Sequence, residues 1–172
     1  MSLVALPRAQ LAKCRASLLL RPACPRRVPR ISGRYRALFA RDGKLVPALH
    51  VFDLEFFLAS ERPPKGAHVT AAAGAVRRLT PYAEPTERTR VVSLSTPIID
   101  KRTKPVSYGV RNWNGRRGIL YLAPPFLNGG QLGDHLVFQW KRAGRMYVVS
   151  LHVWSSPAES APTLRAMVMA LD

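Results

Sequence analysis

The chain has 172 residues, a net charge of +17 and a hydrophobic fraction of 47%. This length and composition are typical of one globular domain and exclude a chain that is disordered throughout. No run approaches the roughly 20 apolar residues that a membrane-spanning helix needs, so we predict no membrane span.

The first 47 residues are rich in Arg and Pro, and ten basic residues precede the first acidic residue, Asp42. We therefore predict a disordered basic leader over residues 1–47, followed by a single α+β domain over residues 48–172. The leader is open to three interpretations. It could be a phosphate-neutralising arm in which Tyr35 stacks on a base, a solvated linker, or an N-terminal targeting segment similar to a mitochondrial transit peptide.

Both cysteines, Cys14 and Cys24, lie in this leader. A disulfide between them would connect only the leader, and no histidine lies nearby in the sequence to complete a metal site. We therefore expect two free thiols. Because the apolar run in the leader is too short for a secretory signal, we expect a cytoplasmic protein unless the leader is a targeting segment.

Three segments between the leader and the first hairpin are predicted to be strands. Apolar and polar residues alternate over residues 49–59, which is typical of a half-buried strand. Residues 67–73 alternate in the same way, although their alanines also favour a helix. Residues 91–96 are short and β-branched, and Pro97 ends them.

Residues 106–123 are predicted to form a hairpin, because Asn114-Gly115 is the strongest two-residue turn in the sequence. In the register that this turn sets, Tyr108 pairs with Tyr121 on the apolar face. Trp113 and Arg116 pair on the other, polar face, close to the turn.

That polar end is a candidate anion-binding site. Trp113 pairs with Arg116 there, and Arg111 and Arg117 lie close in the sequence. Three guanidinium groups near one indole could bind a phosphate or a base. The alternative interpretation is a solvated hairpin tip with a cation over the ring of Trp113.

Residues 134–154 are predicted to form the hairpin around which the domain is organised. Its turn is Ala143-Gly144, and alternation along the two strands separates an apolar core face from a polar face. On the polar face His135 lies directly opposite His152. The pairs expected on the core face are Trp140 with Tyr147, Phe138 with Val149, and Leu136 with Leu151.

His135, His152, Asp134 and Ser150 form the candidate catalytic site. Two facing imidazoles could bind a divalent metal with Asp134 as a third ligand, although no cofactor is required by the pattern. Ser150, His152 and Asp134 also have the residue types of a hydrolytic triad, but a flat strand offers neither a sharp turn nor an oxyanion hole. The third interpretation is a structural histidine pair.

The C-terminal residues predict a helix that packs on the sheet. Ser156 and Glu159 match a capping box, and apolar residues follow at helical spacing. Pro162 would lie too deep in a helix that began at Pro157, so we expect the helix to begin near Ala161.

The C-terminal run, from GGQLGDHLVFQW through YVVSLHVW to TLRAMVMAL, resembles the ends of small uncharacterised actinobacterial proteins that have a Tyr-x-x-Ser-Leu-His strand and a closing helix. The resemblance covers the last 50 to 65 residues of the 172. It implies a bacterial origin and no particular activity.

These patterns together predict an α+β fold in which an antiparallel meander of five to seven strands is packed by a C-terminal helix. The first functional hypothesis is a non-enzymatic binding or structural module with an unknown partner. The second is binding of nucleic acid or another polyanion through the basic leader and the hairpin tip. The third is a metal-dependent or hydrolytic enzyme centred on the histidine pair.

Overall fold

A computed structural model describes the fold. It describes residues 2–30, 36–41, 49–57, 66–75, 85, 88–96, 104–124, 133–152 and 156–172, with the backbone alone for residues 36–68 and for Ala75. Within these ranges the predicted α+β class is confirmed. The elements in chain order are β1 (Leu3–Ala5), α1 (Arg8–Arg15), a 3-10 turn (Arg21–Ala23), β2 (Arg27–Pro29), β3 (Arg36–Arg41), β4 (Leu49–Phe57), β5 (Gly66–Ala75), β6 (Val106–Trp113), β7 (Arg116–Leu122), β8 (His135–Arg142), β9 (Arg145–His152) and α2 (Pro157–Met169).

Seven of the described strands form one antiparallel sheet in the order β3-β4-β5-β9-β8-β7-β6. The strand number and the antiparallel pairing agree with the prediction. The order contains two meanders, β3 to β5 and β6 to β9, and they are joined because β5 pairs with β9 in the middle of the sheet. Residues 91–96, predicted as a strand, contribute a single parallel bridge from Val91 to Ser107.

The N-terminal segment differs from the disordered leader that its composition predicts. Strands β1 and β2 pair with each other, α1 lies between them, and residues 2–30 pack against the same core as α2. Apolar contacts therefore outweigh the basic composition here. The predicted boundary at residue 47 and Tyr35 lie outside the described residues. The buried apolar residues that this segment adds are Leu6, Cys14, Leu20, Ala23, Cys24 and Val28.

The expectation of two free thiols is also wrong. Cys14 and Cys24 form a disulfide with an S–S distance of 2.02 Å, and neither residue is exposed to solvent. Helix α1 carries Cys14, and the 3-10 turn is followed at once by Cys24, so the chain reverses between them. The disulfide connects the N-terminal segment to itself, but it does so inside the core of the domain.

Helix α2 begins at Pro157, four residues earlier than predicted. The side-chain oxygen of Ser156 accepts a hydrogen bond from the backbone N–H of Glu159 at 3.2 Å, and Pro157 occupies the first helical position, where a missing N–H is tolerated. Pro162 lies inside the helix. Burial of Leu164, Met167 and Val168 against the sheet offsets the hydrogen bond that this proline cannot make.

The register predicted for the β8–β9 hairpin is confirmed, including Trp140 with Tyr147 and Phe138 with Val149. The core face of this hairpin carries a row of stacked aromatic rings. Centroid distances are 4.5 Å from Trp113 to Phe138, 5.6 Å from Phe138 to Trp140 and 5.5 Å from Trp140 to Tyr147. This row, α2 and the N-terminal segment form the main core.

The β6–β7 hairpin keeps its predicted turn but not its predicted faces. The register shifts between Ser107 and Val110, where Gly109 has a φ of +83°. Such a bulge reverses which side chains point to which face of the sheet. As a result Trp113 is buried in the core while Val110 is 52% exposed. The predicted pairing of Tyr108 with Tyr121 is wrong, because these two side chains lie in core clusters on opposite faces.

Candidate functional site

The histidine pair lies across the β8–β9 hairpin as predicted. His135 pairs with His152, and their ring centroids are 5.2 Å apart with the rings nearly perpendicular. Nδ1 of His135 and the side-chain oxygen of Ser150 are 2.7 Å apart, and the tautomer of the imidazole decides which of them donates. The hydroxyl of Ser150 has one proton, and when it donates this proton to the backbone oxygen of Thr70 at 3.5 Å, Nδ1 of His135 is the donor to Ser150.

This face of the sheet is not the exposed polar surface that alternation predicts. His135 and Ser150 are 0% exposed, and Gln139 is 4% exposed. A hydrogen bond of 3.0 Å from the Tyr121 hydroxyl to Gln139 Oε1 satisfies part of that buried amide. The pattern is that of a hydrogen-bonded interior layer, which connects the four adjacent strands β5, β9, β8 and β7.

Asp134 does not join this buried cluster. It occupies the exposed turn before β8 with a φ of +58°. The serine that was grouped with His152 and Asp134 instead contacts His135. No group of three potential metal ligands occurs among the residues that the structure describes. The histidine pair therefore supports a structural role better than a metal site or a hydrolytic triad.

The four residues of the predicted anion site do not share one face of the sheet. Trp113 and Arg111 face α2, whereas Arg117 lies on the opposite face beside Gly118 and Ile119. Arg116 donates to the backbone oxygen of Asp172 and, at 3.3 Å, to that of Asn114. The hairpin tip thus does not surround one indole with three guanidinium groups.

A groove of about 840 Å³ lies where α2, β1, β2 and the edge of the sheet meet. We call it the helix groove. Its position follows from the bulge at Gly109, which turns Arg111 and Trp113 toward α2, and from small residues on that side of the helix. The residues that line it are Leu3, Arg27, Leu94, Arg111, Trp113, Leu120, Ala158, Ala161, Pro162, Arg165, Ala166, Met169 and Ala170.

Three arginines in this lining carry charge that no carboxylate neutralises within the described part of the chain. Arg27 donates to the backbone oxygen of Leu3 at 3.2 Å, and Arg111 donates to that of Val110 at 2.9 Å. Arg165 is exposed on α2. Both ion pairs found between described residues involve other arginines. The helix groove is therefore positively charged over an apolar surface.

Those two ion pairs connect the N-terminal segment to Asp172, three residues beyond the end of α2. The carboxylate of Asp172 accepts hydrogen bonds from Arg15 and Arg26. Burial alone would raise the pKa of Asp172, but these hydrogen bonds and positive charges lower it. Burial lowers the pKa of Arg116, the charge of Arg142 lowers it further, and Asp172 opposes both effects. The contacts of Asp172 therefore connect the N-terminal segment to the chain beyond α2.

Sequence reasoning did not detect the helix groove. Its lining extends from Leu3 to Ala170, and no short motif contains it. One local signal was available, because a glycine inside a strand indicates a bulge, and Gly109 lies inside β6. That signal would have reversed the faces assigned to Arg111 and Trp113.

Comparison with known proteins finds no matching family model, no similar curated protein and no similar solved structure. The resemblance to actinobacterial proteins stays a prediction. None of the described helices is long and apolar enough to cross a membrane. Function is therefore inferred from geometry and charge.

Proposed function

We propose that the protein is a non-enzymatic binding module whose helix groove binds a small anion with an apolar body. The observation that carries the proposal is the presence of Arg27, Arg111 and Arg165 around one apolar cavity without a neutralising carboxylate among the described residues. A volume of about 840 Å³ lies within the range of roughly 300 to 1,000 Å³ that small-molecule sites occupy.

The charge of the ligand follows from the three guanidinium groups. Guanidinium binds carboxylate and phosphate oxygens through two parallel hydrogen bonds, and these bonds are stronger where water is partly excluded. Arg27 and Arg111 already use one donor each on a backbone oxygen, which fixes their side chains and leaves further donors for a ligand.

The apolar part of the ligand is inferred from the other residues that line the helix groove. Trp113, Leu120 and Met169 supply aromatic and aliphatic surface, and Met169 is 46% exposed although it lies beside the cavity. Covering such surface with an acyl chain or a ring system is favourable by about 25 cal/mol per Å². A ligand with both features uses the whole groove.

Binding is favoured over catalysis because of which residue types are present. The described residues that line the helix groove include no His, Asp, Glu, Cys, Ser, Thr, Tyr or Lys. General acid–base and nucleophilic catalysis both depend on such groups. The buried pair of His135 and Ser150 lies on the other face of the sheet, since the two belong to the face that carries Val137 and Val148.

The test is titration with decanoate, a ten-carbon carboxylate, followed by calorimetry and by tryptophan fluorescence. Decanoate should bind with a measurable Kd, whereas decanol, which has the same chain without the charge, should bind at least tenfold more weakly. Arg111→Gln and Arg165→Gln should each weaken decanoate binding by about tenfold, which corresponds to about 1.4 kcal/mol.

Arg117→Gln is the matched control, because Arg117 belongs to the same hairpin but faces away from the groove. It should leave the decanoate Kd unchanged. Equal binding of decanoate and decanol, or equal loss in the Arg117→Gln and Arg111→Gln variants, would contradict the proposal.

The buried disulfide favours an oxidising compartment over the cytoplasm that the sequence suggests. The protein should therefore be isolated with no reactive thiol when cells are opened in the presence of an alkylating reagent. Mass spectrometry that finds Cys14 and Cys24 alkylated without prior reduction would reject this placement.

A further inference from the structure

The tips of the two C-terminal hairpins lie side by side and form a basic surface. Strand β7 pairs with β8, and Gly118 is opposite Trp140, so the Asn114-Gly115 turn and the Ala143-Gly144 turn lie at the same end of the sheet. Five basic residues occupy this end, and we call them the tip cluster. They are Arg116, Arg142 and Arg145 on the face of the sheet that carries Trp140, and Arg117 and Lys141 on the opposite face.

Register places three of these arginines in one row. Arg142 pairs directly with Arg145, and continuing the β7–β8 register by two residues brings Arg116 level with Arg142. Neighbouring strands are about 4.8 Å apart, so the row presents like charges at close spacing across three strands. Burial lowers the pKa of Arg116, and the charge of Arg142 is close enough to lower it further.

Such a row costs stability, because like charges directly opposite each other on a sheet repel. Nothing within the described residues offsets that repulsion at Arg142 and Arg145. Arg116 contacts the backbone oxygen of Asp172, but Arg117, Lys141, Arg142 and Arg145 make no ion pair with a described carboxylate. The last four are also exposed to solvent. The unused charge is available to an anionic partner.

We propose that the tip cluster binds the phosphate backbone of a nucleic acid. A polymer of phosphates offers a series of charges that can match a rigid row, whereas a single small anion would neutralise only part of it. The turn residues between the basic positions are Asn114, Gly115, Ala143 and Gly144, so the tip carries no large apolar side chain of the kind that inserts into a lipid surface.

Recognition at this surface is of charge and not of base sequence. No aromatic side chain lies among the tip residues, because Trp113 is buried against Phe138 and is not available to stack on a base. Phosphate contacts position a protein on nucleic acid without reading it. Two duplexes of unrelated sequence should therefore bind with similar affinity.

The test measures binding of a fluorescent 20-base-pair DNA duplex by anisotropy between 50 and 300 mM NaCl. Log K should fall linearly with log salt concentration, by about 0.9 for each phosphate that the protein neutralises. The variant Arg142→Gln/Arg145→Gln should bind at least tenfold more weakly at 100 mM NaCl, and its slope should be smaller by about 2. Removing part of the repulsive row should leave its Tm equal to or above that of the original chain.

The control separates this proposal from the one for the helix groove. Arg165→Gln should weaken decanoate binding and leave DNA binding unchanged. The Arg142→Gln/Arg145→Gln variant should weaken DNA binding and leave decanoate binding unchanged. A flat salt response, unchanged DNA affinity in the double variant, or binding to anionic phospholipid vesicles without binding to DNA would each overturn the inference.

Discussion

The two C-terminal hairpins have the same kind of turn but differ in how their side chains are distributed. Asn114 and Ala143 begin their turns with φ values of +53° and +49°. Along the β8–β9 hairpin, alternation between faces holds through all eight pairs, whereas the bulge at Gly109 reverses it within the β6–β7 hairpin. The comparison teaches that turn residues fix where a hairpin folds back, while a bulge decides which face a distant side chain occupies.

The largest expected effect comes from the contact between the two hairpins. A Cβ at Gly118 in β7 would lie 2.4 Å from the backbone oxygen of Gln139 and 2.8 Å from Phe138 Cζ. Gly118→Ala should therefore separate the hairpins and disturb the aromatic row, at a cost of about 3 kcal/mol in the free energy of unfolding measured in urea.

The control is Gly144→Ala in the β8–β9 turn. A Cβ there meets no atom within 4 Å, so only the φ of +70° opposes the substitution. We expect a loss of about 1 kcal/mol. A loss at Gly118 no greater than the loss at Gly144 would show that the two hairpins are not in close contact.

A smaller effect should distinguish the interior hairpin from the edge hairpin. Ser150 in β9 is fully buried and lies 2.7 Å from His135 Nδ1, so Ser150→Ala should cost about 2 kcal/mol. Ser107 in β6 only supports the bulge, by accepting a hydrogen bond of 3.2 Å from the partly buried backbone N–H of Gly109. Ser107→Ala should cost less than half as much in the same urea titration, and the reverse order would contradict the assignment of interior and edge.

The smallest effect concerns the two turns. Asn tolerates a left-handed backbone better than Ala, so Ala143→Asn should stabilise the protein by about 0.5 kcal/mol. Asn114→Ala should destabilise it by at least that amount, since the amide of Asn114 also donates to Met169 O at 3.4 Å. Changes of Tm in opposite directions would support the shared turn geometry, and changes in the same direction would not.

The sequence predicted those parts of the fold that depend on neighbours along the chain. Alternation located β4 and β5, and the turns at Asn114 and Ala143 located both hairpins. The pairing of His135 with His152 followed from the Ala143-Gly144 turn alone, because the position and length of a hairpin turn determine which residues of its two strands are opposite each other.

The remaining features depend on contacts between distant residues. Composition predicted a disordered leader, but apolar residues such as Leu20 and Val28 are buried by a sheet that comes later in the chain. Pro162 argued against an early helix start, yet the cap at Ser156 and the burial of Leu164 outweighed it. The expected polar face of the main hairpin is also buried, which alternation within two strands cannot reveal.

The helix groove contains Leu3 on one wall and Met169 on the other. During synthesis the first of these residues leaves the ribosome long before the second exists. The cavity can therefore form only after Met169 has been synthesised, and a ligand that fits it would report whether the N-terminal segment and α2 have come together.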